Sequence, residues 1–115
     1  MKYILSISLI LCLCSCASWS TREKVAAGTM IAAQMADHYT TEKMLDRGAW
    51  ENNPVLGRHP SDRELTLYFS VTTPLKLLFA HLFPDHREWI LYGFTAVSGY
   101  AAYNNYRLIK DLERR

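Results

Sequence analysis

The chain of 115 residues has little of several features that would point to a particular chemistry. Its 13 basic and 11 acidic side chains leave a formal net charge of +2, whereas nucleic-acid-binding proteins concentrate cations on one face. No segment alternates polar and apolar residues with a period of two, so we expect no strands. No internal repeat and no glycine-rich phosphate-binding loop is present. The chain therefore reads as one small helical domain without a nucleic-acid partner.

Cysteine is also scarce outside the N-terminus. The three cysteines are Cys12, Cys14 and Cys16, and none follows them in the chain. A protein body without thiols has no disulfide, no cysteine-bound metal and no cysteine nucleophile. We therefore expect no metal held by cysteine, and we predict no metal and no other cofactor for the chain.

The N-terminus has the layout of an export signal. Lys2 precedes an uncharged, mostly apolar run over residues 3–14, which is too short and wrongly flanked for a stable transmembrane helix. The stretch Leu13-Cys14-Ser15-Cys16 resembles the lipobox of bacterial lipoproteins. In a lipobox an aliphatic residue and two small residues precede the cysteine that becomes the acylated N-terminus.

This resemblance implies that residues 1–15 are a cleaved signal peptide and that Cys16 carries fatty acyl chains such as palmitate. Residues 16–20 then form a tether and residues 21–115 a single domain that the lipid holds against a membrane. Cleavage before Cys14 is less favourable, because it places bulky Leu13 where a small residue is preferred. Loss of Lys2 with the signal lowers the formal net charge to +1.

The residue after the lipid site indicates to which membrane of the envelope the protein is sorted. Ala17 rather than aspartate follows Cys16, and by resemblance to enterobacterial lipoproteins this favours the outer membrane. An embedded third helix would instead favour the inner membrane.

Three similar patterns predict the starts of three helices. A capping residue is followed by a glutamate three positions later in Ser20-Thr21-Arg22-Glu23, Ser61-Asp62-Arg63-Glu64 and Asp85-His86-Arg87-Glu88, as in the capping box. We predict an all-α three-helix bundle with helices at 21–47, 62–83 and 86–112. Gly48 and Pro84 are expected to end the first two. Pro74 predicts a kink in the second helix, with a split into two helices as the alternative.

Small residues predict where the helices approach one another. Gly28, Ala32 and Ala36 recur every four residues in the first helix, and Ser98 and Ala102 do so in the third. Such spacing lets helix backbones come close, as in membrane bundles. For the first helix the alternative is that alanine simply favours helix formation.

The third helix leaves open how the domain meets the membrane. Residues 89–106 carry no charge and approach the ~20 residues needed to span a bilayer. Aromatic residues stand at both ends of this stretch, as in interfacial belts. In one model helix 86–112 enters the bilayer. In the other, the whole bundle lies at the membrane surface. We favour the first.

Polar residues concentrate in the first helix and the loop that follows it. The sequence has Asp37 and Thr41, then Glu51-Asn52-Asn53-Pro54-Val55-Leu56-Gly57. Here the chain resembles small bacterial membrane proteins of unknown function that carry Asp, then Thr, then Glu-x-Asn-Pro-x-x-Gly. The resemblance implies no activity.

Two interpretations of these polar residues remain. In the favoured one they form a structural network, with the members Asp37, Thr41, Glu51, Asn53 and Asn105. In the alternative, a small membrane-embedded hydrolase or metal-dependent enzyme uses Asp37, Glu51 and a histidine, which would be His38, His59 or His81. No His-x-x-x-His spacing supports a metal site.

The sequence therefore predicts a lipid-anchored protein of the bacterial cell envelope with a structural, accessory or interaction role. Its expected partner is the membrane, through Cys16 and through helix 86–112 if that helix is embedded. A phage or plasmid lipoprotein that affects entry through the envelope is a further alternative, which the small size permits.

Overall fold

The protein is an all-α bundle of three long helices. The computed structural model describes residues 18–51 and 53–115 and contains α1 (Thr21–Asp46), α2 (Asp62–Leu82) and α3 (Arg87–Glu113). A 3-10 turn over Pro84–His86 joins α2 to α3. No strand occurs in these ranges. The predicted fold class is confirmed, and every predicted helix boundary lies within one residue of the observed one.

The helices run up, down and up. Ion pairs join Arg22 to Glu88 and Arg47 to Glu113, so α1 and α3 are parallel and in step. A hydrogen bond joins Trp19, just before α1, to His81 near the end of α2, so α2 is antiparallel to both. We call the end of the bundle with Trp19 the entry end and the end with the loop over residues 47–61 the far end.

Two of the three predicted capping boxes are confirmed. The Ser20 hydroxyl accepts a bond from the Glu23 amide at 3.1 Å, and the Glu23 carboxylate accepts one from the Ser20 amide at 2.8 Å. Ser61 and Glu64 form the same pair of bonds at 3.2 and 3.0 Å. Each box satisfies amides that the first helical turn leaves without partners.

The third capping box is a wrong prediction. Asp85 lies inside the 3-10 turn, and α3 begins at Arg87 without a side-chain cap. Pro84 presets the backbone of this turn, which moves the start of the α-helix past Asp85. The Glu88 carboxylate is then free to accept a bond from Arg22 at 3.2 Å.

Two residues with special backbone properties are a glycine just after α1 and a proline within α2. α1 is followed by Gly48 at φ +84°, a left-handed conformation that glycine adopts without strain. α2 runs unbroken through Pro74, so the alternative of two separate helices is wrong. A bend at Pro74 stays a prediction.

The prediction of small-residue packing is confirmed in α3 and wrong in α1. Ser98 and Ala102 are buried, whereas Gly28, Ala32 and Ala36 are exposed. α1 instead turns inward the face that carries Ala27, Met30 and Gln34. The hydrophobic core near the entry end contains Trp19, Ala26, Ala27, Met30, Ile31, Leu77, Ala80 and Leu91.

Two predictions concern the membrane, and the structure describes the residues of only one of them. The signal peptide at residues 1–15 and the lipid site at Cys16 lie outside the described residues. Among the helices that are described, none combines the length and the apolar content needed to cross a bilayer.

Candidate functional site

A layer of buried polar side chains crosses the middle of the bundle. Each helix contributes one member: Gln34 from α1, Thr73 from α2 and Ser98 from α3. The Gln34 amide donates to the Ser98 hydroxyl, and the Thr73 hydroxyl donates to the Gln34 carbonyl at 3.5 Å. Because buried polar groups are costly unless paired, these bonds fix the relative positions of the three helices.

A second polar group, which we call the Asp37 cluster, lies one turn further along α1 and consists of Asp37, Thr40, Thr41 and Asn105. The Thr41 hydroxyl donates to Oδ1 of Asp37 at 3.2 Å. The Asn105 amide donates to the Thr41 hydroxyl at 3.0 Å, to the Thr40 hydroxyl at 3.2 Å and to Asp37 Oδ1 at 3.5 Å. The structure thus brings together three of the five predicted network residues.

The other two predicted members order the loop at the far end. The Glu51 amide donates to the Arg58 carbonyl at 2.8 Å, and the Glu51 carboxylate accepts from the Asn53 amide at 3.0 Å. The Asn53 side-chain amide donates to the Tyr68 hydroxyl at 2.9 Å. These bonds attach the loop to α2 and are typical of turn-forming residues.

Burial shifts the pKa of Asp37, the acid of the cluster. Burial, with a smaller contribution from the nearby Glu51 carboxylate, raises the pKa of Asp37 to about 6. The Thr41 hydrogen bond and the neighbouring Lys76 and His38 side chains act in the opposite direction. Burial likewise lowers the pKa of Lys76, against the attraction of Asp37. The site can therefore change its protonation state near pH 6.

The three candidate histidines lie in different places. The ring of His38 stacks on Phe69 at 4.8 Å, and its Nε2 atom lies 3.0 Å from the Glu42 carboxylate. His81 accepts a bond from Trp19 at the entry end, about 27 Å along the bundle axis from Asp37 at the helical rise per residue. His59 is exposed in the loop. Only His38 is therefore placed to act with Asp37, and no three potential metal-ligating side chains of these types meet anywhere in the described part of the chain.

A third polar group, the Arg87 clasp, closes the entry end and consists of Trp19, Glu23, His81 and Arg87. The buried guanidinium of Arg87 donates to the Glu23 carboxylate at 2.9 Å, to the Ala80 carbonyl at 3.2 Å and to the His81 carbonyl at 3.1 Å. Its centre also lies 4.6 Å from the centroid of the Trp19 ring. One side chain therefore joins the segment before α1 to the end of α2.

The carboxyl group of the clasp, that of Glu23, has a lowered pKa. Hydrogen bonding by the Ser20 amide, together with the Arg87 guanidinium, holds the pKa of Glu23 below its usual value. The charged form of Glu23 is thus the one that both the capping box and the clasp use.

Sequence reasoning missed Gln34, Thr73 and Arg87. Gln34 could have been found, because it precedes Asp37 by three residues and Thr41 by seven, which is one helical face. Arg87 had no such signal. It stood only as a middle residue of the third capping pattern, and its partners come from two other parts of the chain.

Comparison with known proteins gives no parallel for these polar groups. The chain matches no protein-family model, no curated protein and no solved structure. A function must therefore be inferred from the polar layer, the Asp37 cluster and the Arg87 clasp themselves.

Proposed function

We propose that the protein is a lipid-anchored component of the bacterial cell envelope with a structural, accessory or interaction role. The observation that carries the proposal is the position of Trp19, which is only 4% exposed and is held by the Arg87 clasp. Trp19 follows Cys16 by three residues, which span at most about 11 Å when fully extended. A lipid on Cys16 would therefore hold the entry end of the bundle at the bilayer.

The lipobox-like stretch supports the lipid itself. Acyl chains contribute about 0.8 kcal/mol for each methylene buried in the bilayer, so more than one chain on Cys16 would anchor the domain firmly. Ala17 after the lipid site favours delivery to the outer membrane. We therefore place the protein on the outer membrane, with the inner membrane as the alternative.

A non-catalytic role is supported by the way the interior polar groups are used. Gln34, Thr73 and Ser98 bind one another, and Thr41 and Asn105 both donate to Asp37. Networks of this kind hold a small bundle in one arrangement. A rigid, membrane-held bundle suits a protein that positions or contacts another envelope component.

Metabolic labelling with an alkyne analogue of palmitate tests the lipid anchor. We expect the wild-type chain to be labelled and to fractionate with membranes, and Cys16→Ala to abolish the label. Cys14→Ala is the matched control because Cys14 lies in the same run two residues earlier, and it should leave the label unchanged. Label that survives Cys16→Ala but is lost in Cys14→Ala would contradict the proposed site.

The second candidate function is acid–base catalysis by Asp37 with Glu51 and His38. It is favoured by one observation: the pKa of Asp37 is raised to about 6, close to the range in which a carboxyl group can both take up and release a proton. The metal-dependent form of this candidate lacks a cluster of three ligands among the described residues.

Substitution of Asp37 separates the two functions. If the network is structural, Asp37→Ala should lower the cellular abundance of the protein in step with any envelope phenotype. If Asp37 is catalytic, the phenotype should be lost at unchanged abundance, and Asp37→Asn should behave in the same way.

A further inference from the structure

We propose that the entry end of the bundle carries its own lipid-contacting surface and that this surface stands the bundle upright on the bilayer. The surface, which we call the entry-end patch, consists of Phe79, Leu82, Phe83 and Trp89. The proposal deepens the lipid-anchor proposal, because it names the part of the protein that meets the membrane beside the acyl chains.

The patch consists of four large apolar side chains that the bundle leaves exposed at one end. Trp89 is 82% exposed, Leu82 63%, and Phe79 and Phe83 47% each. The ring of Phe79 lies 5.0 Å from that of Phe83 and 6.3 Å from that of Phe94 on α3. Large apolar side chains that are exposed together at one end of a bundle favour a binding surface there.

The position of the chain entry identifies the occupant as a lipid surface. His81, which binds Trp19, is followed directly by Leu82 and Phe83, and Arg87, which packs over Trp19, stands two residues before Trp89. Trp19, three residues after Cys16, therefore lies at the same end of the bundle as the patch. An acyl chain on Cys16 and the four side chains of the patch would enter the same leaflet.

The balance of charge at the entry end means that lipid contact there does not depend on anionic headgroups. Three cations and three anions of the first turns balance there, namely Arg22, Lys24, Arg87, Glu23, Asp85 and Glu88. Long-range attraction to anionic headgroups is therefore weak, and the apolar side chains supply the contact. An exposed tryptophan suits this role, since indole rings favour the boundary between headgroups and acyl chains.

The three tryptophans of the chain allow a direct test. Trp19 is buried in the clasp, Trp89 lies in the patch, and Trp50 is 57% exposed in the far-end loop. The full chain is purified from bacterial membranes and reconstituted into phosphatidylethanolamine–phosphatidylglycerol vesicles with brominated acyl chains, which quench tryptophans that touch them. Trp50→Phe leaves the patch tryptophan in place, and Trp89→Phe leaves the far-end tryptophan as its matched control.

We expect the emission of Trp50→Phe to fall in brominated vesicles and that of Trp89→Phe to stay close to its value in unbrominated vesicles. Equal quenching of the two variants would overturn the upright orientation. Emission from Trp89 that is blue-shifted but unquenched would show that protein, such as a second copy of the chain, covers the patch, and would also overturn the proposal.

A second pair of variants tests the neighbours of Trp89. In the Trp50→Phe background, Leu82→Gln should reduce the quenching of Trp89, whereas Leu67→Gln, on the same helix toward the far end, should not. Intact mass of the same samples keeps the two proposals distinguishable. An unacylated chain with quenched Trp89 would contradict the lipid anchor alone, and an acylated chain with unquenched Trp89 would contradict the patch alone.

Discussion

The guanidinium of Arg87 lies 4.6 Å from the centroid of the Trp19 ring, and Trp19 in turn donates a hydrogen bond of 3.1 Å to His81. Residues separated by more than sixty positions thus meet at the point where the chain enters the bundle. A cation over an indole ring contributes about 0.5–2 kcal/mol, and the hydrogen bonds of Arg87 add to it. The entry segment is therefore fixed to the helices.

Removal of Arg87 should destabilise the fold. In Arg87→Ala the Glu23 carboxylate loses its buried partner at 2.9 Å, and two carbonyl groups lose their donor. Breaking a buried pair in this way costs about 3–5 kcal/mol. Urea unfolding followed by circular dichroism should show this loss.

Arg22→Ala is the matched control for the clasp. Arg22 also joins α1 to α3 at the entry end, through Glu88 at 3.2 Å, but its side chain is exposed. Exposed pairs contribute about 0–1 kcal/mol, so this variant should unfold close to the wild type. Equal losses in the two variants would contradict the special role of the buried guanidinium.

Asp37 should make stability depend on pH. Its pKa is raised to about 6 in the folded chain, above the value near 3.9 of an unfolded chain. Between these two values the folded state binds more protons, so the free energy of unfolding should decrease as pH rises from about 4 to about 6 and then level off.

Asp37→Asn isolates this contribution. The variant keeps an oxygen that can accept from Thr41 but has no charge to bury. Relative to the wild type it should gain about 1 kcal/mol more at pH 7.5 than at pH 4.5, a figure reduced for partial exposure of the site. Urea unfolding at both pH values measures the difference, and a gain that is the same at both would rule out the titration of Asp37.

The amide of Asn105 should be more important for stability than that of its neighbour. Asn105→Ala removes the donor to Asp37, Thr40 and Thr41, and a half-buried acceptor without a donor costs about 1–3 kcal/mol. Asn104 is exposed, so Asn104→Ala should change stability little. Thermal unfolding of the two variants side by side gives the comparison. A larger loss in Asn104→Ala would show that the cluster has been placed on the wrong residue.

Replacement of two glycines by alanine should change the stability of the fold in opposite directions. Gly48 has φ +84°, where a Cβ atom is strained, so Gly48→Ala should cost about 1 kcal/mol. Gly28 is inside α1, and an added Cβ would meet no atom within 4 Å, so Gly28→Ala should gain about 0.5–1 kcal/mol from helix propensity. Midpoints of thermal unfolding report both changes. Destabilisation by Gly28→Ala would show that this face of α1 contacts something.

The helices could be predicted because their signals are local. Ser20 with Glu23 and Ser61 with Glu64 satisfy amides within four residues, so the sequence alone contains the whole motif. The third pattern failed for an equally local reason, since Pro84 presets a 3-10 turn that includes Asp85.

The candidate site was only partly predictable. Asp37 and Thr41 share a helical face, and Asn105 was expected opposite them, but the partners of Asn53 depend on how the loop folds back on α2. The inward face of α1 also depends on which side meets α3, and the spacing of Gly28 and Ala32, which are exposed, does not decide it. Such choices are made by tertiary packing rather than by residue spacing.

The intact mass of the mature protein tests the central claim, a lipid anchor at Cys16, most directly. The chain is purified from bacterial membranes without a cleavable tag at its N-terminus and is measured by mass spectrometry. We predict the mass of residues 16–115 plus the glyceride and acyl groups on Cys16. The mass of the unprocessed chain of 115 residues, or of a processed chain without lipid, would contradict the account.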